Sequence, residues 1–204
     1  MKPILFSTEM VKAILAGRKT MTRRIIKPKY SNTDIQWKEL HSGRDRILVE
    51  MQNDAPAPVK NPDGSTTHTL KAYKEIRCPY GMVGDILWVR ESFGYVPTGK
   101  GEIIGYKATH EGQMWNRWRP SIHMPKEACR LFLKIADIRV ERLHDITWQD
   151  IEKEGIRPID PPDPFSRTHG ELFETLWIKI NGPESWQANP WVWVVSFEVT
   201  QKPC

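Results

Sequence analysis

The chain has 204 residues, 39% of them hydrophobic and 10% aromatic, with a net charge of +5. That apolar content excludes a disordered chain and suffices for one generous domain. No apolar run approaches the roughly 20 residues that cross a bilayer, and Glu9 and Lys12 interrupt the only N-terminal stretch that could resemble a signal peptide, so a cytoplasmic protein is expected.

In chain order, residues 3–6 read as a short strand, and Thr8 is placed to cap a helix over "EMVKAILAG" that Gly17 ends. "KTMTRRIIK" alternates like a strand, and Pro28 closes it. Residues 29–78 are the least regular part. Their Pro-, Asn- and Asp-rich centre, residues 52–68, reads as an exposed hairpin tip or mobile loop that buries little and could be deleted. "ILWVRESF" and "GEIIGYKATH" read as strands, and "NRWRPSIHMPKEAC" as a loop.

"RLFLKIADIRVERL" reads as a long or bent strand with Leu131, Leu133 and Ile135 on one face. Thr147 or Asp145 can cap a helix over "WQDIEKEG", stopped by Gly155. A Pro-rich connector leads to "GELFETLWIKING", whose Leu172, Phe173, Leu176, Trp177 and Ile180 follow the 3.6-residue period of a core-facing helix. "NPWVWVVSFEV" is apolar throughout, as an interior strand is. This order predicts an α+β fold: a mostly antiparallel sheet curled into a barrel, with helices on its sides.

Three cysteines, Cys78, Cys129 and Cys204, lie far apart without zinc spacing, so reduced thiols, no metal and no other cofactor are expected. The positive charge favours a phosphate-bearing partner, RNA or a nucleoside, over a membrane. Nine tryptophans add rings that can stack on bases. Trp118, between Arg117 and Arg119, is a candidate stacking residue with phosphate contacts beside it, or else a plug for one end of the barrel. Trp177, Trp191 and Trp193 follow core periodicity. Glu91 and Arg90 end a strand, where a cross-strand ion pair is expected.

The densest signal is "ILAGRKTMTRRIIKP", which places Arg18, Lys19, Arg23, Arg24 and Lys27 within ten positions, with Thr20 and Thr22 among them. Taken alone, such a cluster reads as a solvated basic edge strand that discourages edge-to-edge pairing. Its spacing, however, is G-x-K-x-x-x-x-R, at Gly17, Lys19 and Arg24, with a helix before and a strand after. The chain thereby resembles the ASCH domain, a branch of the PUA-like barrels. "YGMVGDILWVRESF", "SIHMP" and "ESWQANPWVWVVSFE" are similar to the longer ASCH-containing proteins of phages and prophages. The resemblance implies a single ASCH/PUA-like domain over 1–204 with an irregular insertion at about 29–75.

It also implies RNA binding, and for some small bacterial members a hydrolase that removes the acetyl group of N4-acetylcytidine with a Lys, a Thr three residues on and a distant Glu. Lys19 and Thr22 match the first two. Glu154, seven residues after Thr147, matches the third, with Asp150 and Glu152 close by as alternatives. Gly17, Arg18, Arg23, Arg24, Trp118 and Arg119 are the binding candidates. Another branch is implied to cut RNA. The alternatives to an amidohydrolase are therefore a non-catalytic RNA-binding module, a ribonuclease, and a phage structural or host-interaction protein.

Chemically, a threonine hydroxyl attacks only when a base takes its proton, and Lys19 is a base only when neutral. Repulsion from Arg18, Arg23 and Arg24, and some burial, would favour the neutral amine, while Glu154 would favour the ammonium. Arg24 could hold a phosphate or an oxyanion in its planar fork. Lys19 and Thr22, three apart, face opposite sides of a regular strand. The chemistry therefore requires Lys19 to lie in the turn before the strand, or a bulge between them.

Overall fold

A computed structural model describes residues 1–27, 33–39, 46–52, 59–60, 63, 66–67, 73–98, 101–110, 117–156 and 168–203. Its strands are β1 (Lys2–Leu5), β2 (Met21–Ile25), β3 (Thr33–Glu39), β4 (Arg46–Gln52), β5 (Val59–Lys60), β6 (Thr66–Thr67), β7 (Tyr73–Glu75), β8 (Ile86–Arg90), β9 (Phe93–Thr98), β10 (Gly101–Tyr106), β11 (Phe132–Arg142) and β12 (Trp191–Thr200). The helices are α1 (Thr8–Leu15), α2 (Trp148–Lys153), α3 (His169–Asn181) and α4 (Glu184–Gln187). None is long and apolar enough to cross a membrane. The chain divides into two compact units, Met1–Ile25 with Tyr80–Cys204, and Ile26–Pro79.

The larger unit is built on a five-stranded sheet in the order β1-β8-β11-β12-β2, parallel between β1 and β8 and antiparallel elsewhere. The fold is α+β with a core made mostly of sheet and few helices. The expected closed barrel is not found: the sheet ends at β1 and β2, and no backbone ladder joins these edges among the described residues. Side chains stand between them. Arg24 of β2 donates through Nη2 to the Leu5 carbonyl of β1 (2.6 Å), and its guanidinium lies 5.3 Å from the Phe6 ring centre.

A bulge in β11 decides which residues share a face. Ile135 pairs with Phe197, but Asp137 pairs with Ser196, so one residue of β11 is extra. An inserted residue exchanges the faces of everything after it. Beyond the bulge, Arg139 and Glu141 therefore stand on the opposite side from Leu133 and Ile135. The register through β12 puts them on the face of Met21, Arg23 and Ile25. On that face Met21, Val192 and Val194 form a core with Leu143, Ile151 of α2, and Phe173 and Trp177 of α3. A second core, with Trp88, Phe93, Met124 and Phe132 among its members, gathers at β8 and the β9–β10 hairpin.

Local signals were mostly read well. α1 is capped by Ser7 rather than Thr8, its hydroxyl accepting from the Met10 amide at 3.3 Å. Thr147 caps α2, and Gly155 follows it at φ +88°. β12 lies in the sheet interior, between β11 and β2. "ILWVRESF" is not one strand: it breaks at Glu91–Ser92, where the buried Glu91 carboxylate pairs with the partly exposed Arg130, its two oxygens accepting from Nε at 2.9 Å and Nη2 at 3.0 Å. Cys129 is a buried, unbridged thiol, while Cys204 lies outside the described residues.

The smaller unit, expected to be irregular, has strands of its own. β3, β4 and β7 form an antiparallel sheet, and β5 pairs with β6. "TDIQWKE" carries the polar–apolar alternation of a strand, a signal outweighed by the Pro- and Asp-rich run that follows. Most of the 52–68 stretch lies outside the described residues.

One glycine is constrained twice. A Cβ on Gly155 would stand 3.0 Å from the Cβ atoms of both Ala13 and Lys19, at a φ of +88°. Gly17, at φ +69°, has nothing within 4 Å. Gly17→Ala should cost only the left-handed conformation, about 1 kcal/mol, whereas Gly155→Ala adds a steric clash and should cost about 2 kcal/mol or more. Urea unfolding of both variants checks this order; equal losses would show that the Gly155 contact is easily relieved.

Candidate functional site

Lys19 does not belong to β2. It sits in the turn before the strand and forms an isolated antiparallel bridge with Glu154, the residue that ends α2. The Thr20 amide donates to the Lys153 carbonyl (2.8 Å), and the Phe197 amide to the Thr20 carbonyl (2.8 Å), so the turn is stitched between α2 and β12. Lys19 thus meets the geometric condition set by its spacing from Thr22.

The side chain of Lys19 is 2% exposed. Its Nζ donates to Glu154 Oε2 at 2.5 Å and to the Glu154 carbonyl at 3.0 Å. The other carboxylate oxygen, Oε1, accepts from Arg23 Nη1 at 3.4 Å. Arg23 is buried as well. Its Nη2 donates to Glu141 (2.5 Å) and Asp150 (2.7 Å), and Arg139 braces the same two carboxylates, through Nε to Glu141 at 3.0 Å and Nη2 to Asp150 at 2.5 Å. Lys19, Arg23 and Arg139 are thus matched by Glu141, Asp150 and Glu154. Of the like charges clustered in the sequence, Lys19 and Arg23 are thus neutralised by carboxylates, while Arg18 and Arg24 donate to backbone carbonyls instead.

Burial lowers the pKa of Lys19 below its ordinary 10.5. Attraction and hydrogen bonding from Glu154 oppose the shift, and Arg24 and Arg23 add smaller pushes in the same direction as burial. The repulsion expected from the arginines is therefore secondary to desolvation, and Arg18 has no part in it. The Arg18 guanidinium turns instead to the Gly155 carbonyl at 3.2 Å.

A cleft of about 440 Å³ opens along the free edge of β2. Because β2 is an edge strand, residues from both of its faces reach this cleft: Thr22 and Arg24 from one, Arg23 and Ile25 from the other. Glu154 also lines it, and α3 supplies a wall of Phe173, Leu176, Trp177 and Ile180. The structure thus brings Thr22, Arg23, Arg24 and Glu154 to one cleft, with Lys19 bonded to Glu154. Gly17 serves as the left-handed residue after α1. Trp118 and Arg119 do not line the cleft. Arg119 bridges to Phe93 of β9 and lies 5.0 Å from the Tyr95 ring centre, while the Trp118 ring packs against Gly94.

The contributions of Arg139 and Glu141 were missed in the sequence. Their signal was two charged residues at i and i+2 on a strand otherwise read as core-facing. The α3 wall was assigned wholly to packing. Among the described residues no group of three or more His, Cys, Asp and Glu could hold a metal ion. Compared with protein-family models, with curated proteins and with solved structures, the chain gives no match in any of the three.

The lowered pKa of Lys19 carries a sign that can be tested. The unfolded chain keeps a lysine proton up to about 10.5, whereas the folded protein releases it at lower pH. The unfolded state therefore binds more protons in this window, and stability should rise with pH across it. Relative to Lys19→Met/Glu154→Gln, which removes both members of the pair, the wild type should gain stability as the pH rises toward 10.5. Denaturant unfolding of both proteins measures the difference, from which titration elsewhere cancels. A flat or falling difference would show that Lys19 keeps its proton.

Proposed function

We propose that the chain is an ASCH-type, PUA-like protein that hydrolyses the amide of an N-acylated nucleoside, with N4-acetylcytidine as its leading substrate. The observation that carries this reading is Lys19: an amine 2% exposed, of lowered pKa, held at 2.5 Å by a carboxylate that lines the same cleft as Thr22. A buried amine that gives up its proton readily is what a threonine nucleophile needs beside it. The pairing of Arg23 with carboxylates leaves less positive charge for a polyanion than the sequence suggests.

In this mechanism Lys19 accepts the proton of the Thr22 hydroxyl as Oγ1 attacks the amide carbonyl carbon. The tetrahedral oxyanion collapses, the C–N bond breaks, and the proton on Lys19 passes to the departing amine. Water then hydrolyses the threonyl ester, releasing acetate and restoring Thr22. Glu154 orients the Lys19 amine, and Arg23 fixes Glu154 through its second oxygen. A non-catalytic RNA-binding module is the second reading, favoured by the exposed Arg117 and Arg119 on either side of Trp118.

Incubation with N4-acetylcytidine, followed by chromatography of released cytidine, tests the proposal. Wild type should release cytidine and acetate in equal amounts. Lys19→Met, Thr22→Val and Glu154→Gln should each lower turnover by about 100-fold or more. Binding of labelled RNA without release would favour the module, and cleavage of that RNA a ribonuclease. Absence of turnover, binding and cleavage would overturn the cleft as a functional site.

A further inference from the structure

Two side chains lining the cleft carry hydrogen-bond donors with nothing to donate to. Arg24 Nε and Trp177 Nε1 are both shut off from solvent and have no hydrogen-bond partner. Trp177 is 5% exposed. They belong to different walls, Arg24 to β2 and Trp177 to α3. A buried indole N–H usually finds a partner, and leaving such a donor unpaired costs about 1–3 kcal/mol. Asn181, one turn further along α3, does not relieve Trp177: its Nδ2 donates to the Trp177 carbonyl at 3.2 Å. Trp177 is also part of the core beside the cleft, where it meets Phe173 in a tilted contact at 6.0 Å between ring centres.

We infer that the two walls part as a ligand enters and bare Trp177 Nε1 and Arg24 Nε as the donors that read it, and that the cleft takes a flat amide with two oxygen acceptors, one for each wall. Arg24 is held in place for this role. Its Nη2 is engaged by the Leu5 carbonyl at 2.6 Å, and its guanidinium lies over Phe6. It also shares a face of β2 with Thr22, two residues away. Arg24 Nε is therefore the donor for the acyl oxygen that Thr22 would turn into an oxyanion. Trp177 takes the other acceptor, which in an acylated cytosine is the ring carbonyl. Phe173, Leu176 and Ile180 then cover the apolar plane between them. The naming of cytosine rests on the nucleoside-amide reading above; the donor pair itself rests on the cleft alone.

The test follows the indole N–H signal of Trp177 in 15N-labelled full-length protein, assigned through the backbone, during titration with N4-acetylcytidine and separately with 4-acetamido-2-pyridone, a flat amide that has a ring carbonyl as well as the acyl oxygen but no ribose. In parallel, KM and kcat for N4-acetylcytidine are measured for Trp177→Phe, which removes the N–H and keeps a ring. N4-acetylcytidine should move the Trp177 signal, and the variant should show a KM about tenfold higher, with kcat within about threefold, as loss of one ground-state hydrogen bond predicts. Turnover with a stationary Trp177 signal would overturn the donor pair and leave the amidohydrolase reading intact. If N4-acetylcytidine is neither bound nor hydrolysed while the acetamidopyridone moves the signal, the donor pair stands and the nucleoside reading falls. If neither ligand moves the signal and N4-acetylcytidine is not turned over, both are overturned.

Discussion

The buried ion network around Arg23 and Glu154 is the constraint on which the larger unit turns. Removing charges from water costs several kcal/mol per ion, and only close, well-aligned partners offset that cost. Here Arg23 meets carboxylates from β11 and from α2, and Lys19 meets Glu154, the residue that caps the end of α2, with both its side chain and its backbone. Displacing any one of these elements would strand a buried charge. The network therefore sets how the turn at Lys19, the strand β2 and the short helix α2 lie against one another. The same contacts hold Glu154 at the cleft.

The position of β2 as an edge strand gives this arrangement chemical scope. An interior strand offers its two faces to two separate layers. An edge strand lets side chains from both faces reach one groove, and at β2 these are Thr22, Arg23, Arg24 and Ile25. Such an edge is also a hazard, since unpaired backbone invites another strand. Here α3 stands alongside with apolar side chains, and Arg24 reaches across to β1. A sheet closed by backbone pairing would have left no groove there. The open edge and the candidate site are one feature.

The division of charges along β2 has the same origin. Arg23 and Arg24 are neighbours in sequence, yet alternation sends them to opposite faces. Arg23 enters the network, where its guanidinium is taken up by carboxylates. Arg24 keeps one donor unpaired beside the cleft. Two identical residues thus have different physical fates, one enclosed by carboxylates and one bordering the cleft.

Local chemistry was legible in the chain itself. Helix caps at Thr147, the stops at Gly17 and Gly155, the amphipathic period of α3 and the apolar run of β12 depend on near neighbours and on burial in general, so the sequence by itself determined them. So too was the cluster of basic residues, with the requirement that Lys19 precede the strand. Only the tertiary structure decided what neutralises Lys19 and Arg23, because Glu141 and Asp150 lie more than a hundred positions from Arg23, Glu141 reaching it through sheet register and Asp150 through the packing of α2. One extra residue in β11 sets that register, turning Arg139 and Glu141 to the face of Arg23. A bulge leaves almost no trace in composition or period, since it shifts the phase of a strand without changing its residues. The openness of the sheet was settled in the same way, by which edges find backbone partners, and that is a property of the assembled strands rather than of any one of them.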